Sequence, residues 1–233
     1  MKTAEIGKII DQYVTLLNNK DYFETAKVEK LIRDAGQLKS SFAGMKITEE
    51  INHIYEALCI KGVKIMDEIK KNKQDRKGNM GKAKMYLRYL KAAEGDFKGV
   101  SLAMIQKYFK YYMGTSILFL ALSPQYFGFV LPALLFVPIF LGIRGVKSRS
   151  YNGLIMSTSV IPVALMTSSI WIRNGFGIMG NVEGAASALA QSNNLSSTVA
   201  MLLTVVPPFF GMLLFPLAIL TAYTAYKSKD YFI

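Results

Sequence analysis

Residues 151–172 read YNGLIMSTSVIPVALMTSSIWI, twenty-two consecutive side chains without a charge. A helix rises about 1.5 Å per residue and the apolar core of a bilayer is about 30 Å thick, so this run is long enough to cross it. A second such run, 196–223, is also free of charge, and two shorter ones, about 108–122 (YFKYYMGTSILFLAL) and 126–143 (YFGFVLPALLFVPIFLGI), precede them. Ser123-Pro124-Gln125 separates this first pair. Four spans are expected. The rival reading makes 108–122 and 126–143 a re-entrant hairpin, which returns the chain to the same side.

Outward from these runs the composition changes. The chain has 233 residues and a formal net charge of +12 from 28 Lys+Arg and 16 Asp+Glu. Residues 1–110 hold 22 of the basic and 14 of the acidic side chains, and all seven prolines lie beyond residue 123. Such a split excludes a single soluble globule, a disordered chain and a disulfide-stapled module, since Cys59 is the one cysteine. It describes an all-α membrane protein: an N-terminal cytoplasmic helical domain (1–95), an amphipathic juxtamembrane helix (96–110) and a four-helix transmembrane domain (111–233). No signal-peptide pattern is read at the start of the sequence, where an amphipathic pattern begins at once.

Basic residues near span ends set the orientation. Arg144, Lys147 and Arg149 lie between the second and third runs, Lys107 and Lys110 flank the first, and Lys227 and Lys229 follow the last. The opposite side has only Arg173 and Glu183. The expected location is the cell membrane, multi-pass, with both ends cytoplasmic. Aromatic residues at the boundaries, among them Tyr126, Tyr151, Trp171 and Tyr223, fit an interfacial belt.

Beyond Lys110 at the mouth of the first, the four runs contain no Asp, Glu, Lys, Arg or His. Ion-coupled carriers keep such groups at mid-depth, so a self-sufficient transporter is disfavoured. Pro162, Pro207, Pro208 and Gly211 are the candidates for a broken helix lining a path, with Pro207-Pro208 the best interruption. Ordinary kinks are the plainer reading. Ser157, Ala164 and Ser168 share one helix face, a small-residue stripe suited to close packing. The second half of the 173–197 loop is expected to form a short surface helix.

In the N-terminal half, Ile6, Ile9, Ile10, Tyr13, Leu16 and Leu17 recur at helical spacing over about 3–19. Asp21-x-x-Glu24 reads as a capping box for a second helix with Val28, Leu31, Ile32, Ala35 and Leu38 inside. Thr48 caps a third, with Ile47, Ile51, Ile54, Leu58, Ile65 and Ile69. Gly78-Asn79 turns the chain into a fourth, with Met85, Leu87 and Leu90. The densest charge run is Lys70, Lys71, Lys73, Arg76, Lys77, Lys82 and Lys84, opposed only by Asp75. Anionic lipid of the cytoplasmic leaflet, a partner protein and a merely solvated face compete for it, and nucleic acid is disfavoured because no nucleic-acid-binding motif surrounds it.

No catalytic pair or cofactor loop is found. His53 is the single histidine, expected to be structural, and Cys59 reads as a small buried apolar residue. The expectation is a non-enzymatic membrane subunit of a transport or export assembly, without cofactor or metal. Its helical domain would dock a soluble partner such as an ATP-hydrolysing subunit. A homo-oligomeric channel and a lipid-binding scaffold are the alternatives.

Overall fold

A computed structural model describes residues 3–23, 28–45 and 49–233, and among these every regular element is helical. They fall into two units, one of residues 1–103 with 230–233 and one of residues 104–229.

The first unit is built on α1 (Thr3–Leu17), α2 (Val28–Ala43), α3 (Glu49–Lys71) and α4 (Arg76–Phe97). Each has one apolar stripe, and burying those stripes against one another makes the core: Ile6, Ile10, Leu31, Leu38, Ile65 and Leu90 are all buried. Two tyrosines tie the helices together as well as filling space. The Tyr55 hydroxyl accepts the Ile6 N–H at 3.0 Å, one of the amides that the first turn of α1 leaves without an intrahelical partner. The Tyr13 hydroxyl donates to the Ala83 carbonyl at 2.9 Å, and its ring meets Tyr86 edge-on at 5.5 Å. Gly62 lets α3 and α4 approach, since a Cβ there would lie 2.3 Å from the Tyr86 hydroxyl.

Several local expectations shift. Glu24, Ile47 and Thr48 lie outside the described residues. Ile54 and Met85 are exposed, and their neighbours Tyr55 and Tyr86 take the buried positions. Gly78-Asn79 is not a turn but the first turn of α4. Asp75 caps that helix by accepting the Gly78 N–H at 2.9 Å, and an N-cap carboxylate outweighs the helix-breaking tendency of one glycine. The helix expected over 96–110 is divided. Asp96 and Phe97 end α4, Gly99 at φ +70° turns the chain, and α5 (Ser101–Leu122) begins anew.

The second unit holds most of α5, then α6 (Pro124–Phe127), α7 (Val130–Lys147), α8 (Tyr151–Ile178), α9 (Val182–Asn193) and α10 (Ser197–Ser228). Three of its helices, α7, α8 and α10 with its extension to Tyr231, are long and apolar enough to cross a membrane. Helix α5 is not among them; Lys107 and Lys110 fall near its middle. Helix α8 continues six residues past the end of its apolar run, and α9 is the short helix expected in the following loop, closed by Asn194 in the left-handed conformation.

Small residues set the helix contacts. Gly142 and Gly145 of α7 face Ser157 and Gly153 of α8, and a Cβ on Gly145 would lie 2.3 Å from the Gly153 Cα. Ser157, Ala164 and Ser168 are all buried, as a packing stripe requires. Helix α5 is held by hydroxyls rather than by apolar bulk alone. Tyr108 bonds Ser157 at 2.5 Å, Tyr112 donates to the Ile139 carbonyl at 3.0 Å, and Thr115 meets Thr221 at 2.8 Å.

Candidate functional site

The basic run occupies the turn between α3 and α4 and the first turns of α4. Lys70, Lys71, Lys73, Arg76, Lys77 and Lys84 are exposed; Lys82 is half-buried and pairs with Glu68 at 3.2 Å. Asp75 serves as the α4 cap, so its charge is committed to the helix end. The place where the chain leaves this unit is elsewhere. It departs beyond the C-terminal end of α4 and returns at Asp230, beside that same end. At 1.5 Å per residue, the basic turn is about 30 Å away along the 22-residue helix.

That returning segment closes against α2 and α4. Phe232 is fully buried, and the Tyr231 ring lies where a Cβ on Gly95 would sit, 2.4 Å from its Cε1. Lys91 reaches Asp34 at 2.9 Å and Asp230 at 3.8 Å, bridging α2 to the chain's last turn. Glu94, one turn on, accepts from Ser41 at 2.5 Å and pairs with Lys98 at 2.6 Å.

On another side of the unit, α1 and α3 border a groove of about 640 Å³ lined by Ile9, Cys59, Ile60, Val63 and the charged Glu5, Lys64, Asp67, Glu68 and Lys71. Ile60 and Val63 stand in it exposed, at 69% and 44%. Cys59 is buried and burial pushes its thiol up to about 11, far from the thiolate a nucleophile needs. His53 is exposed on α3. Among the described residues no cluster of His, Cys, Asp and Glu is arranged to hold a metal.

Three of the four helix-break candidates are packing residues, and the fourth, Pro162, is exposed. Helix α10 runs unbroken through Pro207 and Pro208, and α8 through Pro162. Pro207, Pro208 and Gly211 are buried. A Cβ on Gly211 would lie 2.2 Å from that of Trp171, and one on Gly175 would lie 3.1 Å from the Pro208 ring. Glycine has no side chain, so Gly175 and Gly211 let α8 and α10 come close. Among the interior hydroxyls, Thr167, Ser168, Thr204 and Thr224 each donate to a carbonyl of their own helix.

Sequence reasoning passed over one cavity. It is bounded by α6, the C-terminal part of α8, α9 and the N-terminal part of α10. Gln125, Tyr126, Trp171, Asn174, Leu203 and Thr204 are among its lining residues, and it encloses about 390 Å³. Asn174 donates to the Tyr126 hydroxyl at 2.5 Å, Tyr126 packs edge-on against Trp171 at 4.8 Å, and the Trp171 indole N–H donates to the Leu122 carbonyl at 3.1 Å. Its residues come from four elements and form no motif; only the boundary aromatics Tyr126 and Trp171 hinted at it.

Comparison with protein families, with characterised proteins and with solved structures finds nothing that matches this chain.

Proposed function

We propose that this protein is a non-enzymatic integral membrane subunit of a multi-component transport or export assembly, whose N-terminal helical unit docks a soluble partner. In this reading the chain crosses the cell membrane four times, with α5 as the first span, hydrogen-bonded to α7, α8 and α10, and both ends lie in the cytoplasm. The return of residues 230–233 to the N-terminal unit supports the shared side. The absence of Asp, Glu, Lys, Arg and His from the central turns of α7, α8 and α10 supports a role that relies on a partner for energy.

One observation carries the docking reading: the α1–α3 groove, with Ile60 and Val63 exposed between charged rims. Isolated apolar side chains on a soluble surface are ordinary, but two in a groove of this size offer a partner helix or loop a desolvated centre with a polar border. The exposed basic turn at the N-terminal end of α4 is available to the same partner or to anionic lipid of the cytoplasmic leaflet. Such exposed lysines accelerate encounter with an acidic surface.

Affinity isolation of the full chain from membranes of its native host, after cross-linking from a photoreactive residue at position 60, tests this reading. One soluble protein recovered in stoichiometric amount, and lost in Ile60→Asp, is expected. Recovery of the chain alone as a monomer overturns it.

A further inference from the structure

We infer that the cavity between α6, α8, α9 and α10 binds an uncharged, hydroxyl-bearing amphiphile, with the polar head against Gln125, Tyr126 and Asn174 and the apolar body against Ile178, Leu189 and Leu203. This goes beyond the docking reading and does not depend on it, since it uses none of the residues of the first unit.

The lining selects the class. At about 390 Å³ the cavity falls within the range of small-molecule sites. No Asp, Glu, Lys, Arg or His lines it; Arg173 and Glu183, close in sequence, stay outside. A charged head would find no counter-charge there, whereas a neutral head need only exchange hydrogen bonds. The polar groups present are suited to that exchange. The Tyr126 oxygen already accepts from Asn174, which leaves its own O–H to donate and the Asn174 amide oxygen to accept, side by side. A ligand hydroxyl both accepts and donates, so one such group satisfies the pair. Gln125 adds a second amide at the same rim.

The walls supply the rest. Trp171 is fixed by its bond to Leu122, by the edge of Tyr126 and by the close backbone of Gly211, so the floor is rigid before any ligand arrives. The lining residues Ile178, Leu189 and Leu203 are aliphatic, and Leu203 is exposed on α10, one of the helices apolar enough to meet lipid. Tyr126 and Trp171 are residues that settle at the headgroup level of a bilayer. A cavity at that depth, lined by both polar and aliphatic side chains, matches a glycerol- or glycoside-headed lipid with its chain directed towards the membrane.

Trp171 is the chain's single tryptophan, so its emission reports this cavity alone. The full chain is reconstituted in phosphatidylcholine vesicles containing a brominated monoacylglycerol, brominated phosphatidylglycerol or brominated phosphatidylcholine, since bromine quenches indole only near contact. The monoacylglycerol is expected to quench saturably at low mole fraction, while the other two quench weakly and in proportion to their amount. Asn174→Leu should weaken the saturable component about tenfold, the worth of one to two hydrogen bonds. Ala185→Phe, which fills the cavity without touching Asn174, should abolish it. Equal quenching by all three lipids, or saturable quenching that survives both variants, overturns the assignment. So does a Trp171 response to water-soluble methyl glucoside with none to the monoacylglycerol, which would place a free polyol there instead.

Discussion

Gly211 of α10 lies so close to Trp171 of α8 that a Cβ on the glycine would be 2.2 Å from the tryptophan Cβ. The contact explains why a helix carrying Pro207, Pro208 and Gly211 within five residues is not a broken one. Gly211 and Pro208 meet Trp171 and Gly175 of α8, and this close packing compensates for the backbone bonds that the prolines forfeit. Gly211→Ala is therefore expected to destabilise the second unit by about 1–3 kcal/mol, the usual range for overpacking a filled contact. The unfolding temperature of the full chain in detergent should drop, and Trp171 emission should shift to the red. Gly177→Ala is the control. A Cβ there meets nothing within 4 Å, and neither reading should change.

The hydrogen bond from the Ile6 amide to Tyr55 makes a second, independent prediction. Tyr55→Phe keeps the ring and its packing but leaves a buried N–H without a partner, at a cost of about 1–3 kcal/mol. Amide hydrogen exchange in the first turn of α1 should accelerate relative to the rest of that helix. Unchanged protection at Ile6 would show that another acceptor takes the amide.

How far these elements were legible depends on which physics fixed them. The bilayer-length runs stood out because a lipid solvent demands an uninterrupted apolar stretch, and α7, α8 and α10 coincide with three of them. Their ends did not stand out. Helix α8 continues through Arg173 and Asn174 to Ile178, because helical hydrogen bonding persists past the point where apolarity is required. In the first unit, periodicity placed Ile54 and Met85 inside, whereas the adjacent Tyr55 and Tyr86 are buried. Counting apolar residues undervalues tyrosine, whose ring fills the core and whose hydroxyl, at Tyr55, satisfies a backbone group. The bridge of Lys91 to Asp34 and Asp230 joins positions far apart in sequence, and the cavity between α6, α8, α9 and α10 draws neutral residues from four elements. Neither leaves a local pattern to read.

The seat of Phe232 gives a third prediction. Its ring is fully buried in the first unit, and Asp230 beside it approaches Lys91. Phe232→Ala removes a large core side chain, which costs about 3–5 kcal/mol where the site cannot collapse. Residues 229–233 should then exchange their amides freely and become open to chymotrypsin at Tyr231. Asp230→Asn should have a much smaller effect, since that ion pair is half-exposed at 3.8 Å. If the alanine variant leaves the segment as protected as before, the buried ring is not what holds it.

The last prediction concerns pH. Burial raises the Cys59 thiol from 9.0 to about 11 and the Tyr55 hydroxyl from 10.0 to about 12. Both groups therefore hold their protons more tightly in the folded chain than in the unfolded one. Stability linked to them is complete below pH 9 and declines as pH rises through 11 to 12, because the unfolded state ionises first. Denaturation of the full chain followed between pH 8 and 12 should show this decline. Cys59→Ala should remove its earlier part, leaving a decline that begins near pH 10. In the same samples at pH 8, a thiol reagent should label Cys59 far more slowly than a free cysteine, and at the ordinary rate once urea unfolds the chain. Rapid labelling of the native protein would show that the thiol is exposed and ionised at neutral pH.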